Sequence, residues 1–171
     1  MRRHLYAVAT AASLGAIAAG SASAQSYDAQ RVVSSITQAD LIAMVRTRGD
    51  QLVEEKAYGD VSVMARDAEQ GIIYHLIGKA CEQPGVTGCL GLDIQVRYDA
   101  DSDVAMAKIN EANITYALAK ASYDVSEDGE PTVFITHYMI LDGGQRLDNI
   151  DTTLLNVLNV APRMASLISS Q

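Results

Sequence analysis

The sequence predicts an α+β fold built on antiparallel strands, with elements in the order α-β-β-β-β-α-β-β-α. Two observations carry this expectation. Leu90, Leu92, Ile94, Val96 and Tyr98 alternate with Gly91, Asp93, Gln95 and Arg97, the period of a strand with one face on a core and one in water. Short turn signals, Pro84-Gly85 and Asp128-Gly129, join neighbouring strand-like runs as hairpins, while the helical patterns stand apart from them. Antiparallel hairpins with segregated helices define the α+β class.

Taken in order, Gln25 to Ile36 is polar and mixed and reads as a flexible lead-in. Thr37 is an N-cap residue with Asp40 in the first turn, and Leu41, Ile42, Met44 and Val45 supply an apolar face. Gly49, preceded by Arg46 and Arg48, ends this helix. Four strand-like runs follow: a weak one from Leu52 to Ala57, one from Val61 to Arg66, a more continuous one from Ile72 to Ile77, and the alternating run from Leu90 to Tyr98. Asp101-Ser102-Asp103 starts a second helix, expected to reach about Lys120. It carries two apolar stripes, Met106, Ile109, Ala112, Asn113, Tyr116 and Ala117 on one side and Val104, Ala107, Ile114 and Leu118 nearly opposite. A surface helix needs only one, so this helix is expected between the sheet and another helix, with contact to a second chain as the alternative. Ala121–Ser126 and Thr132–Ile140 form the second hairpin, and Gly143-Gly144 breaks the chain. Leu147, Ile150, Leu154, Val157, Leu158 and Ala161 repeat at helical spacing, with Pro162 as the expected stop. One domain over residues 37–165 and a tail over 166–171 complete this division.

Length and charge bound the function. The chain has 171 residues, 13 Lys+Arg, 21 Asp+Glu and a formal charge of -8. That length suits one domain with a real core, and the acidic balance argues against a nucleic-acid partner, which demands a basic surface. Residues 1–24 read as a secretory signal peptide. A basic start at Arg2-Arg3 leads into an Ala-rich apolar run and the small-residue site Ala22-Ser23-Ala24. The mature chain would begin at Gln25, by general or twin-arginine export, and would be soluble, secreted or periplasmic, with no later membrane span. In that compartment Cys81 and Cys89, on either side of the Pro-Gly turn, are expected to form a disulfide. A metal site that adds His75 is the competing reading, disfavoured because a structural zinc site wants four ligands.

Catalytic patterns are not evident. The chain has no G-x-S-x-G, no zincin helix and no phosphate-binding glycine loop. The acidic loop residues Asp101, Asp103, Glu127, Asp128 and Glu130 do not follow the spacing of a calcium loop. His75 and His137 fall inside strand-like runs and read as structural. Asn110 and Asn113, three apart on the second helix, are the more informative pair. Asn is a poor helix former, and Asn113 falls in an apolar stripe, where its amide must find hydrogen bonds. Both amides either pin nearby backbone or contact a small ligand or peptide.

These motifs, in this order, resemble the YbjN family of candidate bacterial sensory transduction regulators. The resemblance covers about residues 37–165. It rests on Cys81, Cys89 leading into an alternating strand, Ile109-Asn110 with Asn113, Lys120-Ala121 and Gly143-Gly144. The chain departs from the family around the second Asn, with Ile114 beside it and Ala112 where the family often has a bulky aromatic. Looser packing is expected there. The resemblance implies a fold like that of type III secretion chaperones, with helices on one side of the sheet, often as a homodimer, and no known enzyme activity. The expectation is therefore an exported, non-enzymatic regulatory or protein-binding module without a cofactor. It would recognise a protein or peptide by its sheet face or beside the Asn-bearing helix. The alternative is a small-molecule or metal-binding sensor using Asn110, Asn113, His75 and His137.

Overall fold

A computed structural model describes residues 27–101, 104, 106–125 and 129–170. The expected signal peptide, most of the second helix start at Asp101-Ser102-Asp103 and part of the second hairpin turn lie outside the described residues. The elements are β1 (Val32–Val33), α1 (Gln38–Arg48), β2 (Gln51–Glu55), β3 (Ser62–Arg66), β4 (Ile73–Lys79), β5 (Gly91–Asp99), α2 (Met106–Thr115), β6 (Lys120–Val125), β7 (Pro131–Ile140), β8 (Gln145–Arg146) and α3 (Leu147–Ser169). Apart from the two-residue strands β1 and β8, this is the predicted order.

Six strands make one antiparallel sheet in the order β2-β3-β4-β5-β7-β6, and β1 pairs separately with β8. Cross-strand register sorts the side chains into two faces. Val63, Leu76 and Ile94 lie in one row and Ala65, Tyr74, Val96, Ile135 and Ala121 in the next. These join Leu41, Met44, Leu154, Leu158 and Met164 from the helices in one buried core. The helices therefore cover one face of the sheet, with α1 against β2 and β3, α3 against β5 and β7, and α2 against β6 and α3.

Thr37 opens α1 through a reciprocal cap. Its hydroxyl oxygen accepts from the Asp40 amide at 3.3 Å, and the Asp40 carboxylate accepts from the Thr37 amide at 3.0 Å. Gly49 closes the helix in the left-handed conformation, φ 78°. A buried polar group then ties α1 to the rest. Arg48 reaches Asp50 and Asp151, both at 2.8 Å, and Asp67 at 3.5 Å. Tyr74 donates its hydroxyl to Asp50 at 2.6 Å. Burial and the Asp50 carboxylate both push the Tyr74 phenol far up. Burial alone would lower the Arg48 pKa, but its hydrogen bonds to Asp151 and Asp50 outweigh that and raise it.

Several expectations give way. The lead-in is not a free segment from Val32 onward. Val33 and Ile36 are in the core, β1 pairs with β8, and Ile36 and Cys89 exchange two backbone hydrogen bonds at 2.9 Å. The physical reason lies at the start of α3, where Arg146 provides no side-chain cap. The Arg31 and Ala29 carbonyls accept from the Leu147 and Asp148 amides at 3.0 and 2.9 Å, so this strap satisfies donors that a helix start leaves orphaned. Pro162 does not stop α3, which continues to Ser169 through the expected tail. Proline removes one helix hydrogen bond, while Met164 and Ile168 extend the buried stripe past it. Helix α2 ends at Thr115 rather than near Lys120. Only Ile109 and Ala112 of α2 are buried, and Ile114, in the second stripe, is 84% exposed. The helix is not covered on two sides: it packs against β6 and α3 and leaves Met106, Ala107 and Ile114 exposed.

Candidate functional site

The residues singled out in the sequence do not converge. Asn113 forms a paired contact with one peptide unit of β6: its amide nitrogen donates to the Ala121 carbonyl at 3.0 Å, and its oxygen accepts from the Ala121 amide at 2.6 Å. It thus takes the place of a neighbouring strand on the outer edge of β6. Asn110 is exposed, three residues away. His137 lies on the helix-covered face, and its Nδ1–H donates to the Leu118 carbonyl at 2.5 Å. His75 is on the other face, opposite Met64 and Gln95. Ala112, the expected loose spot, is fully buried. Cys81 and Cys89 are joined in a disulfide. Gly78 makes room for it, since a Cβ there would come within 2.5 Å of the Cys89 sulfur. Among the described residues, no group of three or more His, Cys, Asp or Glu side chains could hold a metal ion, and no helix is long and apolar enough to cross a membrane.

What register does bring together is a cluster on the face the helices leave uncovered. Arg97 on β5 sits opposite Phe134 on β7. Its guanidinium lies 4.2 Å from the ring centre of Tyr58 and 5.2 Å from that of Phe134, within cation–π range of both. Its Nε donates to Gln95 and its Nη1 to the Tyr58 hydroxyl, each at 2.6 Å. Tyr58 also presents its ring edge to His75, 5.1 Å between centres and 84° between planes. Tyr58 is held there by its own loop, where its amide donates to the Ser62 hydroxyl at 2.9 Å and that hydroxyl donates to the Gly59 carbonyl at 2.9 Å.

Beneath Tyr58, His75 is only 4% exposed, and its Nδ1 has no hydrogen-bond partner. Burial, assisted by the charge of Arg97, lowers its pKa to about 4, so the imidazole is neutral at physiological pH. Asp93, one row further along, has its pKa raised by burial against the opposing pull of Lys79. The cluster therefore has a fixed cation, a neutral imidazole and three aromatic rings when Tyr138 is included. Tyr138 lies over Gly91, where a Cβ would meet its hydroxyl oxygen at 2.3 Å, so only glycine lets the ring rest on the strand.

Both sheet edges are blunted. On β6 the Ala121 amide and carbonyl are taken by Asn113, and the Val125 amide donates to the Asp124 side chain at 2.9 Å. On the other edge β2 carries a bulge between Leu52 and Glu54 and the charged pair Glu54-Glu55. Bulges, charges and side-chain plugs of this kind oppose the addition of another strand.

No family model and no curated protein matches the sequence. Among solved structures, the chain is similar to the crystal structure of YbjN, a candidate transcription regulator from E. coli. The TM-score is 0.55 at 9% identity, over 72% of this chain and 84% of that one. A protein from Methanothermobacter thermautotrophicus is also similar, with TM-score 0.49 and 13% identity over 78% of this chain and 96% of that one. The fold is YbjN-like, an antiparallel sheet and three helices consistent with the chaperone-like arrangement.

Proposed function

We propose that the chain is a regulatory, protein-binding module that works without a catalytic set of its own and meets its partner through the uncovered face of its sheet. One observation carries the reading: Arg97 lies within cation–π distance of both Tyr58 and Phe134 on that face, with Tyr138 and Ile140 exposed further along β7. Aromatic and arginine side chains held rigid in the free protein are the usual anchors of an interface. The blunted edges favour contact through the face over strand addition. A YbjN-like fold, whose solved example is described as a regulator, supports a regulatory role at the level of the fold. The acidic charge favours exerting it on protein rather than on nucleic acid. Export to an oxidising compartment belongs to the same proposal, and the Cys81–Cys89 bridge supports it.

The test uses Tyr138→Ser with Ile140→Ser, and Ile114→Ser on α2 as the control. The face variant is expected to melt like the parent and to lose the partner that the parent and the control retain on co-purification from periplasmic extract. A face variant that retains the partner while the α2 variant loses it moves the interface to the helix and overturns the reading.

A second reading has its own observation. A cavity of about 310 Å³ opens between the end of α3 and the end of β5, lined by Tyr98, Ala100, Val104, Val133, Ala165 and Ile168 among others. The Tyr98 hydroxyl is buried there without a hydrogen-bond partner, and burial raises its pKa. A small amphipathic ligand with one acceptor group would suit it. A metabolite screen by thermal shift discriminates: a hit that Tyr98→Phe weakens favours the sensor, and a screen without hits rejects it.

A further inference from the structure

The geometry points to an acidic peptide segment as the occupant of the uncovered sheet face, with its carboxylate on Arg97 and its apolar side chains on Tyr138 and Ile140. This rests on the proposed use of that face and adds the chemistry of the partner.

Charge complementarity carries the inference. In a chain with 21 acids and 13 bases, Arg31, Arg48, Lys56, Lys108 and Arg146 each have a carboxylate partner. Six cations, Arg46, Arg66, Lys79, Arg97, Lys120 and Arg163, have none among the described residues, and three of them, Lys79, Arg97 and Lys120, lie nearest β7 in the sheet. Register places all three around β7 on the uncovered face: Arg97 opposite Phe134, Lys120 opposite Thr136, and Lys79 opposite Gly91, which in turn lies opposite Ile140. Asp93 stands opposite Tyr138 in their midst and forms no ion pair with any of them.

Arg97 is also prepared for a carboxylate. Its two hydrogen bonds go to neutral acceptors, Gln95 and Tyr58, so they fix the plane of the guanidinium and leave its charge unneutralised. A donor fork that is already oriented loses little freedom on binding. The Tyr58 and Phe134 rings within 4.2 and 5.2 Å of it keep water from part of the guanidinium and strengthen the attraction.

The other end of the face is apolar. Phe134, Thr136, Tyr138 and Ile140 share it along β7, with Tyr138 53% and Ile140 64% exposed. At about 3.3 Å per residue this line is roughly 20 Å long, the reach of about six extended residues. Polarity is set beyond Arg97, where Asp99 and Asp124 face each other across Thr132. Those acids repel a carboxylate, so the acidic end stops at Arg97 and the apolar end runs toward Ile140.

Amide shifts of the ¹⁵N-labelled protein on titration with acetyl-Glu-Glu-Thr-Gly-Leu-Leu-amide, and with its Gln-Gln counterpart, provide the test. The acidic peptide is expected to move the amides of Arg97, Phe134, Thr136 and Tyr138 and to bind about tenfold tighter than the amide peptide. Arg97→Met, which keeps the stacking chain and removes the charge, is expected to erase that difference, with an unchanged far-UV spectrum showing that it folds. Equal binding of both peptides on this face overturns the acidic partner and leaves the use of the face standing. No shifts on the face at millimolar peptide, or shifts confined to other surfaces, overturn both. Shifts of the same amides on concentrating the protein alone would make a second copy the occupant and also overturn the inference.

Discussion

Replacing Asn113 by Ala should cost stability through two identified hydrogen bonds. The Asn113 amide group satisfies both the Ala121 N–H and the Ala121 carbonyl, at 2.6 and 3.0 Å, and Ala121 is 5% exposed. A net hydrogen bond is worth about 1 kcal/mol, and a buried backbone group left alone costs about 1–3 kcal/mol. Asn113 is only half buried, so water reaches part of the vacated space. The gain in helix propensity from Asn to Ala offsets about 0.5 kcal/mol. The net expectation is a loss of about 1–2 kcal/mol. Urea unfolding followed by far-UV circular dichroism reads this as a lower midpoint at an unchanged slope. Asn113→Asp separates the two bonds. It keeps the acceptor for the Ala121 N–H but sets a carboxylate oxygen against the Ala121 carbonyl, so it should be destabilised at neutral pH and recover on acidification, when the protonated carboxyl can donate. An alanine variant with the parent's midpoint, or an aspartate variant indifferent to pH, would refute the assignment of Asn113 as the partner of the β6 edge.

Three further outcomes are expected. His75 titrates near 6.5 in the unfolded chain but near 4 when folded. The unfolded state therefore binds more protons between those values, and stability should fall by up to about 3 kcal/mol as the pH drops through that window; His75→Leu should flatten that part of the profile, and an unchanged profile counts against the burial argument. Asp50→Ala strips the partner from the Tyr74 hydroxyl and the Ala68 amide and one of three carboxylates from Arg48, so about 3 kcal/mol should be lost by thermal or urea unfolding, and a loss below about 1 kcal/mol would show that water replaces the carboxylate. Intact-mass analysis should find the native protein inert to alkylation until reduced, and Cys81→Ser with Cys89→Ser should lower stability by about 2–3 kcal/mol; two alkylated thiols in unreduced protein would exclude the bridge.

The fold was legible wherever one periodicity ran long enough. The alternation at 90–98 and the apolar repeat from Leu147 to Ala161 both correspond to real elements with the expected buried face. The cap at Thr37 and the stop at Gly49 were legible because they are local hydrogen-bond chemistry. The strap was not, since a two-residue strand and a single bridge at Ile36 carry no period. The reach of α3 past Pro162 was not, because tertiary burial of Met164 and Ile168 outweighed a local breaker. The exposed side of α2 was misjudged because small Ala residues count as apolar in a stripe without having to be covered. The uncovered face was hardest. Tyr58, His75, Arg97 and Phe134 come from a loop and three strands, and only the register β4-β5-β7 makes them neighbours. A usable signal existed in the polar positions of the alternating strand: Gln95 and Arg97 mark the water-facing side on which the cluster forms.

The strap also bears on the order in which this protein can fold. Its carbonyls cap α3, and β1 pairs with β8 at the opposite end of the sequence. The segment synthesised earliest among these elements thus waits for one of the latest before it has a partner. Closing so large a loop is slow, so the final docking of residues 29–36 should be a late kinetic phase, after the six-stranded sheet. Until then, the first turn of α3 and the backbone of Cys89 are open to solvent, and that interval is when the chain is most exposed to proteases and to mispairing.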